Sequence, residues 1–225
     1  DARNDPEQKA EGKGQELRLL HDSFSQAPLL GSLLDPARSL KNDLATPSFD
    51  TLRALLERAL STERPATLGG EGNEVQDEAW DHALTARGLL DAARLLEERY
   101  HLVVTNVPYL TRGKQSDALK GFCERHYPDA KNDLANVFLE RCLELTVRGA
   151  AGVVQIVMPQ NWLFLSSYRK QRESLLGRLQ FNLVATLGPK GFQTPMWDFN
   201  VQLLTVSITP VSDAFLIHGL DVSSS

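Results

Sequence analysis

The sequence predicts an α/β fold: a helical segment, then a largely parallel sheet that ends with an antiparallel strand. Three observations predict it. Apolar residues recur at helical spacing as far as residue 100. Short β-branched runs then alternate with helical stretches, the order that builds a parallel sheet with helices on its faces. The final runs follow one another with no helix between them, which requires a hairpin. At 225 residues, 42% hydrophobic and 24% charged, the chain can bury a sizeable core as one large or two small domains.

The helical segment spans residues 1–100. Leu17, Leu19, Leu20 and Phe24 suggest a short amphipathic helix, which Ala27-Pro28-Leu29-Leu30-Gly31 breaks. Thr46-Pro47-Ser48 is a helix-start signal, and Phe49, Leu52, Leu55, Leu56 and Leu60 follow at helical spacing. Gly69-Gly70-Glu71-Gly72 reads as a loop, since no strand precedes it and no Lys-Ser/Thr follows to make a phosphate cradle. Residues 74–100 read as one long helix with Trp80, Leu84, Leu89, Leu90, Ala93, Leu95 and Leu96 on its apolar side.

Residues 101–225 carry the strand signals. Leu102–Thr105, Gly152–Met158, Phe181–Leu187 and Val201–Ile208 are β-branched or apolar runs of strand length, and Ala214–Ile217 is a shorter fifth. Between them, Asp133–Arg148 repeats apolar residues at Leu134, Val137, Phe138, Cys142 and Leu145, and Ser166–Leu179 does so at Tyr168, Leu175 and Leu176.

Open α/β sheets bind ligands at the carboxyl ends of their strands. The loop after the first strand is Asn106-Val107-Pro108-Tyr109. Asn offers an acceptor and two donors, Pro stiffens a turn, and Tyr offers a flat ring. Together they suit a nucleobase flipped from its stack, with hydrogen bonds to its polar edge and an aromatic ring on its face. By itself the tetrapeptide is a weak signal, and an ordinary strand-ending turn with a packed Tyr is the commoner use of it.

Other motifs follow in order. They are Asp133-Leu134-Ala135-Asn136-Val137-Phe138, Gly149-Ala150-Ala151-Gly152 before a strand, Met158-Pro159-Gln160-Asn161-Trp162 after it, and Leu187-Gly188 with Phe192 before Val201. This series, from Val103 to Pro210, resembles the amino-methyltransferases of the Asn-Pro-Pro-Tyr type. It is most similar to the adenine-N6 DNA enzymes of restriction–modification and BREX-like phage-defence systems.

The resemblance implies a partial class I methyltransferase sheet, Rossmann-like, with S-adenosyl-L-methionine as methyl donor. It implies duplex DNA with a flipped adenine as partner, and other defence-system subunits as further partners. Asn106 and the backbone carbonyl of Val107 would accept the two adenine amino hydrogens. Tyr109 would stack on the base after the Pro108 turn, and Phe192 would touch it from another side. Asp133 and Phe138 would shape the pocket beside cofactor and base. The match departs from the family at Val107, where a Pro is usual, and at Ala135, where a Tyr is common. No Gly-rich cofactor turn occurs in residues 1–100: Asp35-Pro36-Ala37-Arg38 continues without glycine. The chain therefore reads as the target-base half of a catalytic domain, inactive in isolation.

Arg112 and Lys114 follow the Tyr loop and are candidates for DNA phosphate contacts, as is the basic cluster Tyr168-Arg169-Lys170-Gln171-Arg172. Trp162 and Phe164 are candidates for the wall of a DNA cleft or for the core, as are Trp197 and Phe199. The net charge of -5 argues against coating nucleic acid by bulk charge but permits a local basic surface. Two cysteines, Cys123 and Cys142, read as buried reduced thiols, and the five histidines show no metal-ligand spacing. With no apolar run long enough for a membrane span and no signal-like start, a cytoplasmic protein is expected. Two other readings stay open: methylation of RNA or of a protein glutamine, and a non-catalytic DNA-binding or assembly module.

Overall fold

The computed structural model describes residues 24–36, 38, 74–148, 152–189, 200–211 and 215–223. The expected helix over Phe49–Leu60, the glycine loop at 69–72, and Phe192, Trp197 and Phe199 lie outside these residues. The chain divides into two compact units, Asp1–Glu98 and Arg99–Ser225.

In the first unit, α1 (Ala27–Leu30) and a 3-10 turn (Gly31–Leu33) stand where a helix break was expected. Pro28 sits in the first turn of α1, where it has no intrahelical hydrogen bond to lose. Gly31 ends the turn at φ 51°. The long helix is α2 (Glu74–Glu97). Leu90 and Ala93 on it are buried as expected, whereas Leu95 is exposed.

The second unit is one five-stranded sheet with helices in its crossovers. Its elements are β1 (Leu102–Asn106), α3 (Asp117–His126), α4 (Leu134–Glu144), β2 (Val153–Pro159), α5 (Arg169–Arg178), β3 (Gln180–Gly188), β4 (Val201–Ser207) and β5 (His218–Asp221). The strand order is β1-β2-β4-β3-β5. β1 pairs parallel with β2, β4 pairs antiparallel with both β2 and β3, and β5 pairs parallel with β3. The α/β fold and the antiparallel hairpin are as expected. The reversed strand, however, lies inside the sheet rather than at its end, because the β3–β4 hairpin folds back to insert β4 against β2. The fifth strand is His218–Asp221 and not Ala214–Ile217; Phe215, Leu216 and Ile217 are extended coil before it.

Alternation along the central strands sets the core. Val154, Ile156 and Met158 of β2 stand opposite Val206, Leu204 and Gln202 of β4, so all six share one face. The apolar ones meet Ala135, Leu139, Cys142 and Leu143 of α4 and Leu175 of α5. On the opposite face, Leu102 and Val104 of edge strand β1 are 60% and 62% exposed. Helix α4 is buried nearly all round, not on the single stripe its sequence suggested: Asn136 and Arg141 are each 1% exposed.

Those polar residues are held in hydrogen bonds, as burial demands. Asn136 Nδ2 donates to Gln171 Oε1 at 2.8 Å, and Gln171 Nε2 donates to Glu140 at 3.1 Å. Arg178 of α5 donates to the same carboxylate at 2.6 Å. This network pins α5 to α4.

Two glycines are needed where the chain passes close to itself. A Cβ on Gly152 would stand 2.7 Å from the Val147 carbonyl, so β2 can enter beneath that turn only with glycine there. Gly188 ends β3 at φ 73°, and a Cβ on it would meet Ser223 at 2.8 Å.

Cys123 and Cys142 are buried and unbridged. Burial pushes the Cys142 thiol up to about 11, against a smaller opposing influence from Arg141, and it raises Cys123 too. Little thiolate exists at neutral pH, and the thiolate is the reactive form. Both cysteines are expected to resist a thiol reagent at pH 7.5 and to react at once in denaturant, which a timed alkylation followed by mass spectrometry would show.

Candidate active site

Asn106 is the last residue of β1, facing Val157 of β2 in the parallel register. Its side chain is on the exposed strand face with Val104. Val107 turns the other way: it is 5% exposed and packs into the core cluster. That accounts for a β-branched residue where the resemblance leads one to expect Pro, because the position contributes core volume as well as a turn. Pro108 is exposed and Tyr109 half-buried. The Tyr109 hydroxyl donates to Asn106 Oδ1 at 3.2 Å, closing the tetrapeptide on itself. Burial, and after it the carboxylate of Asp133, raises the Tyr109 phenol above its usual value, so it remains a neutral donor at pH 7.

The next residue, Leu110, anchors the loop. Its backbone N–H lies near enough to the Asp133 carboxylate to favour the charged form. Its carbonyl accepts from Leu134 N and from Gln115 Nε2, both at 3.0 Å. Thr111 and Asp133 form an antiparallel bridge, and Arg112 N donates to the Asn132 carbonyl at 2.9 Å. The loop after β1 is thus stitched to the start of α4.

Asp133 is the N-cap of α4, accepting from Ala135 N at 3.0 Å, and is 3% exposed. Burial pushes its carboxyl above the ordinary range, while the N–H groups of Ala135 and Leu110 pull it back. Its oxygens already serve the protein backbone. Phe138, one turn on, packs against the core cluster. Asp133 thus caps α4 with its carboxylate, and the half-buried Phe138 ring lies against the core. Asp133→Ala is expected to cost about 1–2 kcal/mol, the usual loss of an N-cap, read from a denaturant melt.

The structure separates the remaining candidates. Trp162 is 1% exposed and packs 6.4 Å from the ring of Phe181, so it belongs to the core and not to a surface cleft. Phe164, two residues on, is 65% exposed. Arg112 pairs with Glu124 at 3.1 Å, and Lys131 binds the same carboxylate at 2.7 Å. These two bonds hold Glu124 below the usual carboxylate range. Lys114 is exposed on a 3-10 turn. The basic cluster is largely engaged within the fold. Tyr168 and Gln171 are buried, Arg169 pairs with Glu173 at 2.7 Å, and Arg172 donates to the carbonyls of Trp162 and Leu165.

Gln115, Asn136 and Gln171 were missed by sequence reasoning. Each is a polar residue that pattern reading assigns to solvent, and nothing local marks it as buried. Among the described residues no group of His, Cys, Asp and Glu could hold a metal ion. None of their helices is long and apolar enough to cross a membrane.

The site is therefore a strand-end Asn–Tyr pair on a backbone-anchored loop. The model of the Eco57I restriction-modification methylase family matches residues 40–192. The chain belongs to this family. Adenine-specific methyltransferase BrxX of Escherichia coli O9:H4 (strain HS) is 32% identical over 163 residues, 72% of this chain and 13% of that protein. Adenine-specific methyltransferase PglX of Lacticaseibacillus casei (strain Zhang) is 29% identical over 170 residues, 76% of this chain and again 13% of the relative. The chain therefore spans about an eighth of the length of these relatives. Among solved structures, the type IIL restriction-modification enzyme MmeI in complex with DNA overlaps 90% of this chain and 36% of its own. That overlap has a TM-score of 0.44 and 13% identity. The family match contains Asn106–Tyr109, Asp133 and Trp162, and it ends at Phe192.

Proposed function

We propose that the protein methylates the N6 amino group of adenine in DNA, as a cytoplasmic modification enzyme of restriction or phage defence, and that this chain supplies the acceptor-base side of the site. The observation that carries the proposal is the paired placement of Asn106 and Tyr109 at the carboxyl end of β1, within a chain of the Eco57I methylase family.

An exocyclic amine is a weak nucleophile because its lone pair is delocalised into the ring. Two acceptors, Asn106 Oδ1 and the Val107 carbonyl, would hold both amino hydrogens and localise the lone pair toward the methyl donor. No covalent intermediate is needed; orientation and fixed dipoles carry the rate. Tyr109 would supply a stacking face for the flipped base. S-Adenosyl-L-methionine, implied by the family, supplies an electrophilic methyl group when bound. The resemblance would place Asp133 and Phe138 beside it, at the start and in the second turn of α4.

In the structure the Tyr109 hydroxyl occupies the Asn106 oxygen that the base would need. Tyr109→Phe frees that acceptor and keeps the ring. It is expected to leave turnover within about threefold of wild type, whereas Tyr109→Ala loses base stacking worth about 1–3 kcal/mol. Steady-state methylation of an adenine-containing duplex by the whole protein tests both. Equal losses in the two variants would assign the hydroxyl, not the ring, as the working group.

A further inference from the structure

We propose that Gln115 is a positioning residue for the methylation site: through the Leu110 carbonyl it sets where the base-stacking Tyr109 stands. The inference rests on the methyltransferase reading above and extends it to a residue outside every motif in the sequence.

Gln115 is 4% exposed, although it lies in a polar loop between Lys114 and Ser116. Burying a primary amide is costly unless it is hydrogen-bonded. Its Nε2 donates to the Leu110 carbonyl at 3.0 Å. The same carbonyl accepts from Leu134 N at 3.0 Å. The peptide that leaves Leu110, one residue past Tyr109, is therefore held by two hydrogen bonds. The Leu134 bond comes from the start of α4. Gln115 holds the loop from the other side: its own N–H donates to the Arg112 carbonyl at 3.2 Å, and the next residue, Ser116, caps α3 by accepting from Leu119 N at 3.3 Å. The amide thus ties the start of α3 to the residue after Tyr109. Without it the loop is held from α4 alone and can pivot about that contact, carrying Tyr109 with it. Displacements of this size at a reacting centre cost rate while leaving outer binding contacts intact.

The test compares wild type, Gln115→Met and Ser116→Ala in the whole protein. Gln115→Met matches the volume without the donor. Ser116→Ala weakens the α3 cap without touching Leu110, and so reports a merely structural effect. Gln115→Met is expected to lower kcat by about 10- to 100-fold with KM for duplex DNA within about threefold. Ser116→Ala should keep the wild-type kcat. Hydrogen exchange in residues 107–112 should rise in Gln115→Met alone. Should that variant fail to fold, Gln115→Glu, which replaces the amide donor with an acceptor, takes its place with the same expectation. An unchanged kcat with unchanged exchange, or an equal fall in both variants, overturns the proposal. A wild type that methylates no DNA overturns the underlying reading instead; the exchange comparison then still decides whether Gln115 holds the loop.

Discussion

Replacing Asn106 by alanine in the whole protein is expected to lower methyl transfer to DNA by about 10²–10³-fold, the usual cost of deleting one dipole aimed at the reacting group. The fold should hardly change. Asn106 ends β1 with its side chain exposed, and among the described residues its side chain bonds to the neighbouring Tyr109. Deleting it therefore removes little packing. The loss should fall on kcat, because phosphate contacts rather than base contacts position DNA on a protein. Asn106→Asp is a sharper probe. It keeps the acceptor but adds a charge beside a site whose proposed substrate is an anionic polymer, so DNA binding should weaken and the dependence on salt should change. A single-turnover assay beside a DNA-binding titration separates the two effects.

The second large effect is on stability. Trp162→Ala should cost about 3–5 kcal/mol, the range for a large aromatic removed from a packed interior. The ring lies in the core cluster with Phe181, Leu175 and Tyr168, and the backbone carbonyl of Trp162 accepts from Arg172. A denaturant melt would show the loss. Phe164→Ala, at a site 65% exposed, should change stability by less than about 1 kcal/mol. If Trp162→Ala left stability intact and abolished DNA binding, the indole would belong to the substrate surface after all.

Much of this was legible in the residues. Four strands appear within two residues of their expected ends, because β-branched runs such as Val153–Val157 have no other stable use at that length. The position of Asn106 at the end of its strand was legible too, because the β-branched run stops there and a turn sequence with Pro108 follows. What pattern could not reach depends on contacts between distant segments. The insertion of β4 between β2 and β3 is a pairing choice that no local period encodes. Asp133 was read as a pocket residue from its motif, and its cap to Ala135 became visible only in the fold. Gln171 looked like part of a basic surface cluster, and only the opposing Asn136 and Glu140 make it a core residue. Leu102 and Val104 lie exposed on β1, which the sequence could not tell, since alternation reveals a period but not which face is covered.

The central claim is that Asn106 and Tyr109 present an adenine for methylation. It is tested most directly by expressing the whole protein, with any partner subunits it requires, in a host free of adenine methylation and mapping N6-methyladenine across the genome by single-molecule sequencing. The account predicts a defined methylated motif in cells with the wild-type protein, and its loss in cells carrying Asn106→Ala with Tyr109→Ala at equal protein level. A well-folded wild type that leaves genomic adenine unmethylated, or a double variant that methylates as fully as wild type, would contradict it.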